Sequence, residues 1–105
     1  MLHKFAIIIP TAAAWVDAAS IGQVGVPVNR WAVDRIVAEA GGATQTNVFG
    51  IWRGPLGIVA EDGYRFDFAS THDLTEFVRS LAQFLVSNTH EMCVYVEHGD
   101  GAEII

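Results

Sequence analysis

Five consecutive residues alternate strictly between aromatic and charged side chains, and no other stretch constrains the fold as much. They are Tyr64, Arg65, Phe66, Asp67 and Phe68. A period of two is the repeat of a β-strand, whose successive side chains point to opposite faces of the sheet. The alternation therefore predicts a strand with one aromatic face and one charged face. It leaves open which of the two faces is covered.

Two segments that flank this strand repeat their apolar residues with helical spacing instead. The first predicted helix begins at Asn29, a good N-cap, and ends at Gly41, which suits the position after a helix. The second follows Ser70 or Thr71 as its cap and ends at Asn88. The stripe of the first helix is Trp31, Val33, Ile36, Val37 and Ala40, with Trp31 as the expected core residue. The stripe of the second is Leu74, Phe77, Val78, Leu81, Phe84 and Leu85.

Three further segments have the composition of strands. Residues 5–9 form a continuous apolar run, which is typical of a central strand buried on both faces. Residues 43–53 are rich in threonine, valine and aromatic side chains, and residues 92–97 are mostly apolar. Between the two middle strands, residues 55–57 and residues 62–63 both have the composition of turns.

The resulting order is strand, helix, strand, strand, helix, strand. This order predicts an α+β fold with ferredoxin-like βαββαβ architecture, in which two helices cover one face of an antiparallel sheet. One domain spans residues 1–105. Residues 11–28 are expected to form a long, partly ordered connection, because glycines and a proline interrupt any helix there. Residues 102–105 are expected to return as a short edge strand.

The composition excludes several kinds of partner. The 105 residues carry a formal net charge of −6, with only 6 lysines and arginines, so a basic surface for nucleic acid is missing. No apolar run approaches the length of a membrane span. The short apolar segment at the N-terminus ends at Pro10, which favours a strand over a signal peptide. The protein is expected to be cytoplasmic and to bind no membrane.

Hydrophobic residues make up 51% of the chain, which is rich for a small domain. This fraction predicts a homo-oligomer, a dimer or a trimer, that buries part of its surface between copies. The row of Tyr64, Phe66 and Phe68 is a candidate for such an uncovered apolar surface. The single cysteine, Cys93, lies in an apolar run and is expected to be buried.

The stretch Gly41–Phe68 combines glycines with an indole, two arginines and several acids. Glycine lets a ligand approach the backbone closely, and the face of an indole such as Trp52 attracts cations. The turn signals place Glu61 and Asp62 on a loop, and Glu91 starts the last strand, so these carboxylates can converge at one rim of the sheet. The alternative interpretation is that Glu61 and Asp62 are only turn residues.

Signals for other kinds of site are missing from the sequence. It contains no phosphate-binding glycine motif and no nucleophile elbow. The histidines, His3, His72, His90 and His98, are scattered without the spacing of metal ligands. No metal and no cofactor is expected.

Several of these features together resemble the small phage S-adenosylmethionine lyases over residues 29–105. The resemblance lies in residues 50–53 (Gly-Ile-Trp-Arg), the acids that follow, the alternating strand, the apolar helix and residues 91–96 (Glu-Met-Cys-Val-Tyr-Val). Where the family motif has a tyrosine, this chain has Trp52. The resemblance implies a ferredoxin-like, trimeric protein with sites between subunits. It also implies cleavage of S-adenosylmethionine to methylthioadenosine and homoserine lactone.

In the family reaction the carboxylate of the substrate attacks its own γ-carbon, so the enzyme mainly has to hold a reactive shape and exclude water. The resemblance implies catalytic roles for Glu61, which would orient the ligand, and Trp52, which would pack on it. The implied ligand-binding residues are Gly41, Gly42, Gly50, Arg53, Asp62 and Glu91. Two other hypotheses remain: a non-enzymatic phage or bacterial binding module with aromatic anchors, and an oligomeric protein with a structural role.

Overall fold

The computed structural model describes residues 1–11, 15–18, 23–89, 93–99 and 101–105. The helices are α1 (Val28–Ala40) and α2 (Thr75–Asn88). The strands are β1 (His3–Pro10), β2 (Trp15–Ala18), β3 (Gln23–Pro27), β4 (Thr44–Gly54), β5 (Gly57–Ser70), β6 (Tyr95–His98) and β7 (Gly101–Ile104). Neither of these two helices is long and apolar enough to cross a membrane.

The main sheet has five antiparallel strands in the order β4-β5-β1-β6-β7, with β1 at the centre as predicted. The elements β1, α1, β4, β5, α2 and β6 follow the predicted order, so the α+β class is confirmed. The strict βαββαβ plan is wrong in two places. The hairpin β2–β3 is inserted between β1 and α1, where a connection was expected. The short strand β7, expected from residues 102–105, adds a fifth strand at the sheet edge.

Both helices pack on the same face of the sheet, against side chains that alternate along β1. Phe5, Ile7 and Ile9 form one buried cluster with residues of α1 and α2. The aromatic row of β5 belongs to this cluster, because Phe66 and Phe68 are buried in it. Trp31 is the core residue that its helical position predicted, stacked on Phe84 at a ring distance of 4.5 Å. The aromatic row is therefore not an uncovered surface, and the charged residues of β5 lie on the opposite face, the open face.

Both helices end where the sequence predicts, but both begin at other residues than predicted. Gly41 ends α1 in the left-handed conformation, with φ of 85°, and donates its N–H to the Val37 carbonyl at 2.9 Å. Helix α1 begins at Val28, before the expected cap Asn29, because the chain enters directly from β3. Helix α2 begins at Thr75, whose N–H donates to the Asp73 carboxylate at 3.0 Å.

Strands β4 and β5 extend well beyond the rest of the sheet. Strand β1 pairs with residues 63–70 of β5, so among the described strands residues 49–62 have only one another as strand partners. We call this segment the arm. Its turn lies at Gly54–Gly57, where Gly57 has φ of 131°. The second expected turn, at residues 62–63, is wrong: Glu61 and Asp62 lie within β5, paired with β4.

Two expectations near the C-terminus also change. Cys93 is exposed rather than buried. The last core strand begins at Tyr95 rather than at residue 92. Just before its first residue, Val94 still exchanges two backbone hydrogen bonds of 2.9 Å with Ile105. These bonds tie the C-terminal residue to the sheet.

Candidate functional site

The structure places Gly50, Trp52 and Glu61 together on the open face of the arm. The β4–β5 register pairs Gly50 with Glu61 and Trp52 with Val59, without a bulge. Side chains of a strand alternate between faces, and directly paired residues share a face. The indole of Trp52 and the carboxylate of Glu61 therefore lie on the same side of the sheet as Arg65 and Asp67.

The indole lies over the neighbouring glycine of its own strand. A Cβ atom built at Gly50 would lie 2.9 Å from Cζ3 of Trp52 and 3.4 Å from its Cε3. Since Gly50 is the cross-strand partner of Glu61, the ring also lies beside Glu61, at the roughly 5 Å spacing of paired residues. Trp52 is 40% exposed, so part of the ring remains open to solvent next to an acid. This pair can bind a ligand that combines a flat group with a positive charge.

The other predicted site residues are not gathered at this point of the chain. Arg53 and Asp62 lie on the opposite face of the arm, by the same alternation. The carbonyl of Asp62 accepts hydrogen bonds from the N–H and the hydroxyl of Thr11, at 2.9 and 3.1 Å. Glu91 lies outside the described residues.

Gly41 and Gly42 lie at the other end of β4, about 27 Å from Gly50 along the strand. Gly42 contributes there to a shallow cleft of about 510 Å³. Its charged lining residues are Lys4 and Asp67. Within one copy of the chain, a single small ligand cannot touch both this cleft and the indole of Trp52.

A cluster of charged side chains on the open face was missed by the sequence analysis. Arg65 contacts Asp67 at 3.1 Å and Glu97 at 2.9 Å. The hydroxyl of Tyr95 donates to Glu97 at 2.9 Å. The alternation in β5 did place Arg65 and Asp67 on one face of the strand. The missing information was that β5 and β6 both pair with β1, which brings Arg65 within reach of Glu97.

These contacts shift the pKa values of Glu97 and Tyr95. Hydrogen bonds from Arg65 hold the pKa of Glu97 below its usual range, although partial burial acts in the opposite direction. The hydrogen bond to Glu97 raises the pKa of Tyr95. The guanidinium of Arg65 donates through all three of its nitrogens to the two carboxylates, so it is already occupied and does not form an anion site. Among the described residues, no three His, Cys, Asp or Glu side chains are grouped so that they could hold a metal ion.

Comparison with known proteins finds similar solved structures and no match among family profiles or curated proteins. A solved phage SAM lyase in complex with S-methyl-5′-thioadenosine superposes with a TM-score of 0.67 at 15% identity, covering 99% of this chain and 88% of the other. A phage SAM lyase in the apo state superposes with a TM-score of 0.61 at 13% identity, covering 98% and 87%. The chain shares the fold of the phage SAM lyases. At this identity the likeness concerns the fold, and the chemistry has to be argued from the residues.

Proposed function

We propose that this protein is an S-adenosylmethionine lyase that forms methylthioadenosine and homoserine lactone. One observation carries the proposal: an exposed indole and a carboxylate are neighbours on the open face of a sheet whose fold is that of the phage SAM lyases. One of those lyases was solved with S-methyl-5′-thioadenosine, the thioether product of such a cleavage. S-adenosylmethionine has both features that the pair can bind, a flat base and a positively charged α-ammonium group.

The reaction needs no acid, base or metal from the protein. A carboxylate oxygen of the substrate bonds to its γ-carbon as the bond from that carbon to sulfur breaks, and the bonding electron pair goes to sulfur. The positive sulfonium and the negative carboxylate are both neutralised, and no proton is transferred. A dry site that holds the carboxylate against the γ-carbon therefore favours the transition state.

This loss of charge decides which part of the substrate Glu61 should contact. A carboxylate beside the sulfonium would stabilise the substrate more than the transition state and would slow the reaction. The α-ammonium group keeps its charge throughout, so a contact there orients the amino acid without this penalty. We assign Glu61 to the α-ammonium group.

We assign Trp52 to the adenosine part of the ligand. Aromatic rings stack on nucleobases irrespective of charge, with a contribution of about 1–3 kcal/mol per base. The exposed ring of Trp52 offers such a surface. Stacking there leaves the sulfonium between the base and the acid, away from full solvation.

Within one copy, the described residues form only one side of this site, because both described helices pack on the other face of the sheet. We propose that a second copy of the chain covers it and that the protein is a dimer or trimer. The large apolar side chains exposed on the arm support this, since such patches mark interaction surfaces. They are Phe49, Ile51, Trp52, Leu56, Ile58 and Val59. In such an assembly the arm of one copy can reach the Gly42 cleft of its neighbour, which would unite the two groups of predicted ligand-binding residues.

Product formation tests the proposal. Wild-type protein incubated with S-adenosylmethionine is expected to release methylthioadenosine, detected by chromatography. Glu61→Gln should lower kcat/KM about 10- to 100-fold, the effect of losing a charged hydrogen bond. Glu39→Gln, an exposed substitution on α1, removes the same charge and should leave the rate unchanged. Wild-type protein that forms no methylthioadenosine would remove the lyase assignment.

The exposed arm also favours a second candidate function, a non-enzymatic module that binds another protein. In that case the apolar side chains of the arm would anchor a foreign partner, and the acidic chain would favour a basic one. This candidate predicts a monomer that neither binds nor cleaves S-adenosylmethionine. The lyase assignment instead predicts a dimer or trimer that binds and cleaves S-adenosylmethionine.

A further inference from the structure

We infer that Gly50 is a positioning residue, which lets the indole of Trp52 lie close against β4 and does not itself contact the ligand. The inference rests on the proposed function only in naming the ligand that the ring would meet. It gives Gly50 a different role from the one expected from the sequence, which was to let the ligand approach the backbone closely.

The backbone at Gly50 does not explain why this residue is glycine. Among the described residues, the glycines with positive φ are Gly41, Gly57 and Gly99, so Gly50 has a conformation that other residues adopt freely. A strand interior also disfavours glycine, because glycine has no side chain to pack and loses more entropy on folding. The reason has to lie in the space above its Cα atom.

That space is filled by the Trp52 ring. Its six-membered ring approaches an added Cβ to 2.9 Å, while the nearest other atom, the backbone oxygen of Glu61, is 3.8 Å away. Any larger side chain at position 50 would push the ring off the strand. The move is possible without unfolding, because Trp52 is 40% exposed and is not one of the buried core residues.

A ring in this position lies over the Cα atom of Gly50, with its Cε3–Cζ3 edge nearest to the strand, and 40% of the Trp52 residue remains exposed. Its lateral position is fixed beside Glu61, the cross-strand partner of Gly50. The glycine thus sets the distance between the stacking surface and the carboxylate. A ligand must match that distance, so Gly50 acts on binding through Trp52.

The first experiment detects the ring without any ligand. Protein labelled with 5-fluorotryptophan gives a fluorine resonance for each of its 3 tryptophans, and Trp52→Phe identifies that of Trp52. Gly50→Ala should shift the Trp52 resonance and leave that of buried Trp31 in place. The control Gly101→Ala changes another strand glycine, whose added Cβ meets only ordinary contacts of 3.9 Å or more, and should shift neither. An unmoved Trp52 resonance in Gly50→Ala would overturn the inference.

The second experiment is a double-mutant cycle on the affinity for methylthioadenosine, measured by calorimetry. Gly50→Ala should weaken binding about tenfold when Trp52 is present, by removing most of a stacking contact. It should have no effect in the Trp52→Ala background. Equal weakening in both backgrounds would show direct ligand contact by Gly50 and would overturn the inference. If the wild type does not bind methylthioadenosine, the proposed function fails, and the fluorine experiment still decides the role of Gly50.

Discussion

Ala6 shows how one small residue organises the charged cluster on the open face. It pairs with Asp67 on one side and with Glu97 on the other, so the guanidinium of Arg65, which contacts Asp67 on its own strand, has to cross β1 near Ala6 to reach Glu97. Ala6 is only 2% exposed although no helix covers this face. A larger side chain at position 6 would separate the arginine from its partners.

The shifted pKa of Glu97 predicts how stability depends on pH. Its pKa in the folded state lies below the unfolded value, so its contribution is complete above about pH 4.3 and is lost as the pH falls through the folded value. Glu97→Gln should cost about 1 kcal/mol at neutral pH, since a partly exposed charged contact is worth less than a buried one.

Thermal melts between pH 7 and pH 3 check this prediction. The wild type should lose stability on acidification more steeply than Glu97→Gln, because the variant has already lost the titrating group. Glu39→Gln serves as the control and should follow the wild type. Parallel curves for the wild type and Glu97→Gln would contradict the role given to the Arg65 contact.

A comparison of two non-reacting ligands tests which part of the substrate Glu61 contacts. S-adenosylhomocysteine keeps the α-ammonium group but has a neutral sulfur, and methylthioadenosine lacks the amino acid group altogether. Glu61→Gln should weaken S-adenosylhomocysteine about tenfold or more and leave methylthioadenosine unchanged. Trp52→Ala should weaken both. Calorimetric titration of the wild type and the two variants gives six affinities, and equal effects of Glu61→Gln on both ligands would refute the contact with the ammonium group.

At the residue scale, local alternation was enough to place some of these side chains and not others. It predicts that Arg65 and Asp67 share a face, because they are two residues apart in one strand. The likeness to the lyases suggested that Trp52 and Glu61 are neighbours, and the register brings them together on one face. The contact from Arg65 to Glu97 spans three strands, and no local pattern contains that pairing.

The arm is the element on which assembly should depend. It exposes apolar side chains on both of its faces: Ile51 and Ile58 lie on the helix side, and Trp52 and Val59 lie on the open side. A partner that covers only one face would leave the other in water. The arm is therefore suited to insertion between neighbouring copies of the chain.

Replacing Ile51 and Ile58 together by threonine should weaken assembly without unfolding the chain. Threonine keeps the β-branched shape that suits a strand, and exposed substitutions usually change stability by less than about 0.5 kcal/mol. Sedimentation at micromolar concentration should give a dimer or trimer for the wild type and a smaller species for the variant. Val37→Thr, an exposed substitution on α1, is the control. A wild type that remains monomeric across the dilution series would contradict the prediction.

The arm also explains why the turn between the middle strands was partly misplaced from the sequence. Both residues 55–57 and residues 62–63 have turn composition, and local chemistry cannot rank them. Strand pairing shows which segment is the turn. Gly63 pairs with Val48 on one side and with Pro10 on the other, so it lies inside β5 and not at a turn. Of the two glycines in these segments, Gly57 and Gly63, only Gly57 has a positive φ, which favours glycine at that turn.

On the scale of the whole molecule, the periodic elements were predictable and the inserted ones were not. The apolar stripes located both helices, and continuous or alternating runs located β1 and β5. The hairpin β2–β3 lies in a segment of alanines and interrupting glycines, and although Val24 and Val26 are spaced by two, Gly25 and Pro27 beside them disfavour a strand. The proposed assembly and the proposed inter-subunit site involve a second copy, which a pattern within one chain does not define.

Cleavage of S-adenosylmethionine in ¹⁸O-labelled water, followed by mass spectrometry at early times, tests the central claim most directly. Intramolecular attack predicts equal amounts of methylthioadenosine and homoserine lactone, with no label in either, and a rate that falls in Glu61→Gln but not in Glu39→Gln. Homoserine labelled from the start would show hydrolysis by water instead. Substrate left intact by the wild type would contradict the assignment altogether.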